Sequence, residues 1–331
     1  MYRIGVVGCG TIGTRLAETF AAHDRTTVWG ACDVDADRAE SFAADYGAAA
    51  FTDHERLVER DAVDAVYVGV PPTAHVEVAT DALAAGKHVL CEKPLAETAD
   101  AGERLVAAER ASDRVTGVNL PFRYTPGFRE LRDRVLAGEL GEIRRIDLHF
   151  RFPQWPREWQ DVSWLESREQ GGPTREVGTH FLFGVQELFG PIDRVDATVQ
   201  YAGPDLYEQS VVGSFTVDGV QGTYDLATDH AASEENSITV LGEDGGLSLT
   251  DWYRLIADRG EETERVLVDE RTATTELLVD EFVAAMDDPT TGDLVSFAEA
   301  NQVQRVVDAI FASDGDPLDV PADPDLRSPP E

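Results

Sequence analysis

At 331 residues the chain has the length of two domains rather than one core. Its 63 acidic residues against 28 basic give a formal net charge of -35, spread along the chain, which argues against nucleic acid or an anionic membrane as partner. A hydrophobic content of 42%, with no apolar run long enough to span a bilayer, marks a globular protein; the strand-like start Met1-Tyr2-Arg3-Ile4, unlike a leader peptide, points to the cytoplasm.

In chain order, strands and helices alternate up to Asn119. Strands are expected at Arg3–Val7, Val28–Cys32, Ala65–Val70, His88–Cys91 and Val115–Val118. Helices are expected at Ile12–His23, Arg38–Tyr46, His75–Ala85 and Ala99–Arg110, with apolar residues such as Ile12, Leu16 and Phe20 at helical spacing. This alternation implies a parallel sheet with right-handed crossovers, hence an α/β domain over residues 1–119. The texture then changes. Phe128–Ala137 reads as a helix, Ile143–Phe152 as an alternating strand, and Thr174–Phe189 as a helix stopped by Gly190-Pro191. Alternating segments follow at Val195–Tyr201, Val211–Val217, Val220–Leu226, Ser237–Leu241 and Leu247–Thr250, separated by turns such as Asp218-Gly219. They make a mixed, mostly antiparallel open sheet in an α+β domain over residues 120–331. Helices at Glu276–Met286 and Phe297–Ala312 precede a Pro- and Asp-rich end, Asp314–Glu331, expected to be irregular.

Lys87 and Lys93 are the only lysines, so 26 of the 28 basic residues are arginine. An acidic, lysine-poor surface suits concentrated salt, where carboxylate repulsion is screened over roughly 3 Å at 1 M. Cys9, Cys32 and Cys91 lie in apolar strand or turn contexts without metal-ligand spacing, so they read as core residues and no metal site is expected.

Gly8-Cys9-Gly10-Thr11-Ile12-Gly13 is a G-x-G-x-x-G motif that follows the first strand, opens the first helix, and precedes Asp33 at the end of the second strand. Dinucleotide binding needs this arrangement. Glycines let the backbone approach a pyrophosphate, the helix N-terminus favours its charge, and the acid accepts hydrogen bonds from the ribose. A carboxylate at Asp33 repels a 2′-phosphate, which favours NAD over NADP, although Arg38 close by weakens that preference. Val34 adjoins the same site.

The segments Asp64-Ala65-Val66-Tyr67-Val68-Gly69-Val70-Pro71-Pro72-Thr73-Ala74-His75 and Gly86-Lys87-His88-Val89-Leu90-Cys91-Glu92-Lys93-Pro94-Leu95 resemble the glucose–fructose oxidoreductase/inositol dehydrogenase (Gfo/Idh/MocA) family. Its hallmark E-K-P tripeptide stands as Glu92-Lys93-Pro94, and the resemblance runs on through Asn119, Arg123-Tyr124-Thr125-Pro126, Gly171-Gly172 and His180 to Ala309–Val320. It implies a Rossmann domain followed by a mixed-sheet domain, assembly as a homodimer or homotetramer through the open sheet face, and oxidation of a carbinol of a sugar, cyclitol or related polyol, or the reverse reduction. It further implies Val70, Pro71, Pro72, His75, Glu92, Lys93 and Asn119 at the cofactor, and Lys93, Arg123, Glu176 and His180 at the substrate, with Lys93, His180 and Glu176 catalytic.

The residues agree physically. Lys93 follows the fourth expected strand at its carboxyl end, where open α/β sheets bind ligands. Hydride removal from a carbinol requires the hydroxyl proton to leave, so a base or hydrogen-bond donor must lie against it, a role open to a lysine beside the nicotinamide. Glu176 and His180, four apart, share one face of the expected helix, so the carboxylate can hold the imidazole as a proton carrier. The chain departs from the family pattern in carrying Glu176 where Asp is usual, Pro173 in place of a third glycine, and Phe183 in place of an Asp after the histidine. Trp155, Trp159 and Trp164, beside Arg151 and Arg157, suit stacking on a pyranose and binding its hydroxyls; a packed loop or an oligomer contact is the other reading. Two further functions stand beside the polyol dehydrogenase: a cofactor-binding regulator without catalysis, and a dehydrogenase or reductase of a dihydrodiol, imine or tetrapyrrole.

Overall fold

The computed structural model describes residues 1–160, 162–260, 265–324 and 326, and they divide into two compact units. The first unit comprises Met1–Pro121 and Ala273–Asn301; the second, Phe122–Thr272 and Gln302–Glu331.

Within the first unit the chain runs β1 (Tyr2–Val7), α1 (Thr11–Ala22), β2 (Thr26–Cys32), α2 (Ala36–Tyr46), β3 (Ala49–Phe51), α3 (His54–Val58), β4 (Ala65–Val68), α4 (Pro72–Ala84), β5 (His88–Cys91), α5 (Ala99–Ala111) and β6 (Thr116–Val118). Among the described residues the sheet has six strands in the order β3-β2-β1-β4-β5-β6, all parallel. Its central strands are apolar along their whole length: Ala65, Val66, Tyr67 and Val68 of β4 are each fully buried. That is what helices on both faces of a parallel sheet require. The edge strand β3 and helix α3 have no counterpart among the expected elements. Three residues of mostly exposed β3 carry too little periodicity to be seen, and only pairing with β2 makes them a strand.

In the second unit come α6 (Pro126–Leu136), β7 (Ile143–Phe152), a π-helical turn at Thr174–Gly178, α7 (Thr179–Phe189), β8 (Arg194–Tyr201), β9 (Glu208–Val217), β10 (Val220–Thr228), β11 (Glu235–Gly242), β12 (Gly245–Thr250), β13 (Arg254–Asp258) and β14 (Arg265–Asp269). Then α8 (Thr274–Asp287) belongs to the first unit, α9 (Phe297–Ala312) begins there and continues in the second, and β15 (Leu318–Asp319) closes the second. The second sheet has nine strands among the described residues, in the order β14-β13-β12-β11-β7-β10-β9-β8-β15. Only the β7–β10 pair is parallel. Strand β7 shows why one face of this sheet is dry: Ile146, Leu148, Phe150 and Phe152 are buried, and the alternate Asp147, His149 and Arg151 are half-buried.

Three expectations are corrected. The helix expected over Thr174–Phe189 is α-helical only from Thr179. The Pro- and Asp-rich end contributes β15, which pairs with β8 through Leu318 and Val195; residues 325 and 327–331 of that end lie outside the described residues. Residues 273–301, expected with the second domain, cluster with the first. Helix α8 packs on α1, Tyr2 and Arg25 both bond Asp287, Val295 bridges to Val118, and the Phe297 amide donates to Glu109 at 3.0 Å. No local pattern announces such a return; it follows from partners up to 285 residues apart in sequence.

Candidate active site

The glycine motif forms a cradle. Gly8 has φ +101° and a Cβ there would lie 2.2 Å from the Gly69 carbonyl oxygen, while a Cβ on Gly13 would lie 2.0 Å from the Gly8 carbonyl oxygen. Those two glycines are dictated by the turn and by the packing of α1 on β1. Gly10 is different. It is exposed and nothing lies within 4 Å of its absent side chain, so the space a Cβ would fill is open. Helix α1 begins there with no side-chain cap, leaving the amides near Thr11 and Ile12 directed at that space. An anionic pyrophosphate fits this donor set.

Asp33 stands beside the cradle, 8% exposed, accepting the Cys9 amide on Oδ2 and the Asp35 amide on Oδ1, each at 3.0 Å. Arg38 Nη1 lies 3.4 Å from both oxygens and Val34 is exposed. Burial pushes the Cys9 and Cys32 thiols up to about 12, so neither is a nucleophile at neutral pH.

Lys93 follows β5 at the carboxyl edge of the sheet and is half-buried. Behind it is a buried carboxylate. Glu92 Oε1 accepts from the Tyr67 hydroxyl at 2.7 Å and from Asn119 Nδ2 at 2.5 Å, and Oε2 accepts the Lys93 amide at 3.3 Å. Burial, then the Glu92 charge, hold the Tyr67 hydroxyl well above its usual range, so it stays a donor. His75 is fully buried: Nε2 lies 2.8 Å from the Val70 carbonyl oxygen and Nδ1 3.0 Å from that of Pro94. Desolvation pushes its pKa down, favouring a neutral ring. Both ring nitrogens of His75 thus face main-chain carbonyls, one in the loop after β4 and one on the residue after Lys93. Pro72 is buried and Pro71 exposed at the start of α4.

In the second unit, Gly171-Gly172 leads into the π-helical turn. Glu208 of β9, 1% exposed, accepts the Thr174 amide at 2.5 Å, and Arg175 donates to the Arg168 and Gly171 carbonyls. These buried charges set the turn that carries Glu176, and nothing in the spacing around Glu208 singles it out. The turn also corrects the expected face: with i→i+5 pairing up to Gly178, Glu176 and His180 straddle a π/α junction instead of lying on one α-helical face. Glu176 accepts from Gln160 Nε2 at 3.2 Å; His180 is 7% exposed, its ring edge-on to Trp252 with centroids 5.1 Å apart.

Arg123, expected at the substrate, is 2% exposed, bonded to Glu187 through Nη2 at 2.6 Å and Nε at 3.0 Å, and lies over Phe183. Here the Phe183 that replaces a carboxylate becomes intelligible as the face on which Arg123 stacks. Of the loop tryptophans, Trp155 is buried with Nε1 donating to the Leu165 carbonyl, Trp164 is half-buried and Trp159 is 59% exposed. Arg157 stacks on Phe152, Trp155 and Trp159 and pairs with Glu234. The packed reading therefore holds for Trp155 and Arg157. A cavity of about 670 Å³ in this unit is lined by His149, Arg151, His230 and Asp251 among others; of the residues marked in the sequence it takes Arg151. Among the described residues no group of three or more His, Cys, Asp or Glu is placed to hold a metal ion, and no helix is long and apolar enough to cross a membrane.

Strand order and glycine cradle together define a dinucleotide-binding Rossmann domain. A model of the oxidoreductase family with NAD-binding Rossmann fold matches residues 2–120, and one of the GFO/IDH/MocA C-terminal domain matches residues 128–248. The chain is 31% identical over 303 residues to dTDP-3,4-didehydro-2,6-dideoxy-alpha-D-glucose 3-reductase of Streptomyces violaceoruber, covering 90% of this chain and 84% of that one. It is 29% identical over 280 residues to myo-inositol 2-dehydrogenase of Thermotoga maritima, covering 81% and 79%. A structure of levoglucosan dehydrogenase in complex with NADH and L-sorbose has the same fold, with a TM-score of 0.86 over 97% of this chain and 99% of that one at 19% identity. The chain belongs to the Gfo/Idh/MocA family and is an NAD(P)-dependent oxidoreductase.

Proposed function

We propose that this protein moves a hydride between nicotinamide and a ring carbinol of a sugar or cyclitol, with Lys93 and His180 handling the hydroxyl proton. The observation that carries the reading is Lys93, on a loop held by the buried Tyr67–Glu92–Asn119 cluster at the carboxyl ends of β4, β5 and β6. The named relatives support the substrate class: a dideoxyglucose 3-reductase, a glucose-6-phosphate 3-dehydrogenase and inositol 2-dehydrogenases. A bound nicotinamide supplies the hydride acceptor or donor. The chain supplies the rest. Gly8, Gly10 and Gly13 seat the pyrophosphate, and Asp33 takes the ribose and disfavours a 2′-phosphate, so NAD is preferred to NADP. Val70, Pro71 and Asn119 border the nicotinamide end. Lys93, as the neutral amine, orients the hydroxyl and accepts its proton as hydride leaves the carbon, giving a ketone; His180 is the second acid/base group. The enzyme works as a homo-oligomer in the cytoplasm.

Aldoses, inositols and sugar lactones assayed by NADH and NADPH absorbance in molar salt test this. Lys93→Ala is expected to lower turnover by about 10³-fold with NADH binding retained. Undiminished turnover in that variant overturns the role of Lys93, and absence of turnover with every polyol and aldose overturns the substrate class.

A further inference from the structure

Strands β12 and β13 are joined by a turn in which the Tyr253 amide donates to the Thr250 carbonyl at 3.2 Å. Both central residues have positive φ: Asp251 at +50° and Trp252 at +72°. Hairpin turns of this kind usually take Asn-Gly or Asp-Gly, because the second position asks for a residue without a Cβ. Asp tolerates the left-handed region, but a tryptophan there is an outlier whose conformation the surroundings must impose.

The surroundings are the indole's contacts. Trp252 stands edge-on to His180 at 5.1 Å and to Phe122 at 6.2 Å, and tilted on Phe181 at 5.1 Å. The residue is only half-buried, so part of its surface stays accessible. Packing alone explains neither feature. A residue needed only to fill space against Phe122 and Phe181 would be fully enclosed, and an unstrained hairpin would carry glycine at this position. The turn instead holds a large flat apolar surface in the open, against the imidazole that carries the proposed proton.

We infer that Trp252 is a wall of the substrate site, its indole stacking on the apolar C–H face of a six-membered ring polyol, a pyranose or a cyclitol. The inference rests on the substrate class proposed above and narrows it to rings, because an open-chain alditol presents no flat C–H face. It moves the aromatic contact from Trp155, which is enclosed in its loop, to an indole outside that loop.

The test compares Trp252→Ala and Trp252→Phe with the wild type on ring substrates (myo-inositol, D-glucose, glucose 6-phosphate) and on open-chain sorbitol. In the alanine variant KM for rings is expected to rise about 10-fold and KM for sorbitol by much less, with the NADH dissociation constant within about 3-fold. Phenylalanine, which keeps the packing on Phe181, recovers most of the loss and guards against an alanine variant that does not fold. A ring substrate added to the NADH complex should change the tryptophan fluorescence of the wild type and leave that of Trp252→Phe unchanged. Unaltered KM for rings in both variants, with turnover intact, reduces Trp252 to packing and leaves the proposed function standing. A wild type that turns over only open-chain or non-polyol compounds overturns the substrate class and this inference together.

Discussion

In the first unit Glu92, Asp33 and His75 are each fixed by hydrogen bonds to buried neighbours, while in the second His180 and Trp252 lean on aromatic faces and Glu176 rides an irregular π turn. The first arrangement is built on the ends of parallel strands, where successive loops bring donors and acceptors into fixed register. The second depends on a hairpin and a helix from distant parts of the chain meeting across one sheet face. Motif residues can specify the former directly. The latter tolerates change in sequence as long as the packing survives, which is why a carboxylate position can carry Glu176 and a neighbouring one Phe183.

The comparison can be broken at several points. After Lys93→Ala, the largest effect is expected from Asp33→Ala, which removes the carboxylate proposed to take the ribose and leaves Arg38 without that partner. The kcat/KM ratio for NAD over NADP should fall by about 100-fold, read from initial rates with both cofactors. An unchanged ratio would mean that cofactor choice is set elsewhere. Next is Tyr67→Phe, which takes a hydrogen-bond donor from the buried Glu92 carboxylate. Leaving that charge short of a partner costs about 1–3 kcal/mol. The expected outcome is a kcat about 10-fold lower and a displaced pH profile, with KM for the cofactor unchanged; a lowered melting temperature with normal kcat would make the tyrosine merely structural. The smallest effect concerns the whole surface. With 63 acidic residues and only two lysines, the melting midpoint should rise by at least about 5 °C between dilute buffer and 2 M KCl. A flat or falling midpoint would remove salt adaptation from the account of this composition.

Much of the first unit was legible in advance. Periodicity located most of its strands and helices, Gly8, Gly10, Gly13 and Asp33 pointed to a role through spacing and place, and Glu92-Lys93-Pro94 did so through the family resemblance. What escaped was short or remote: β3, with three residues, and the return of 273–301, whose partners lie near the N-terminus and on α5. In the second unit the long alternating strands were visible, yet β13 and β14 were not, since they are short and only partly buried. His180 was marked by its local motif. Its aromatic neighbour was not, because nothing in Thr250-Asp251-Trp252-Tyr253 reads as a turn that glycine should occupy.

The sequence by itself determined the alternation of strand and helix, the glycine cradle and the motif lysine, all of which depend on residues close together along the chain. Tertiary structure alone decided that Arg123 belongs to Glu187 and Phe183, that Trp155 is enclosed while Trp252 stands open beside His180, and that Glu208 fixes the turn under Glu176. Those outcomes turn on which side chains are buried together, and burial is set by the packing of elements separated by tens of residues.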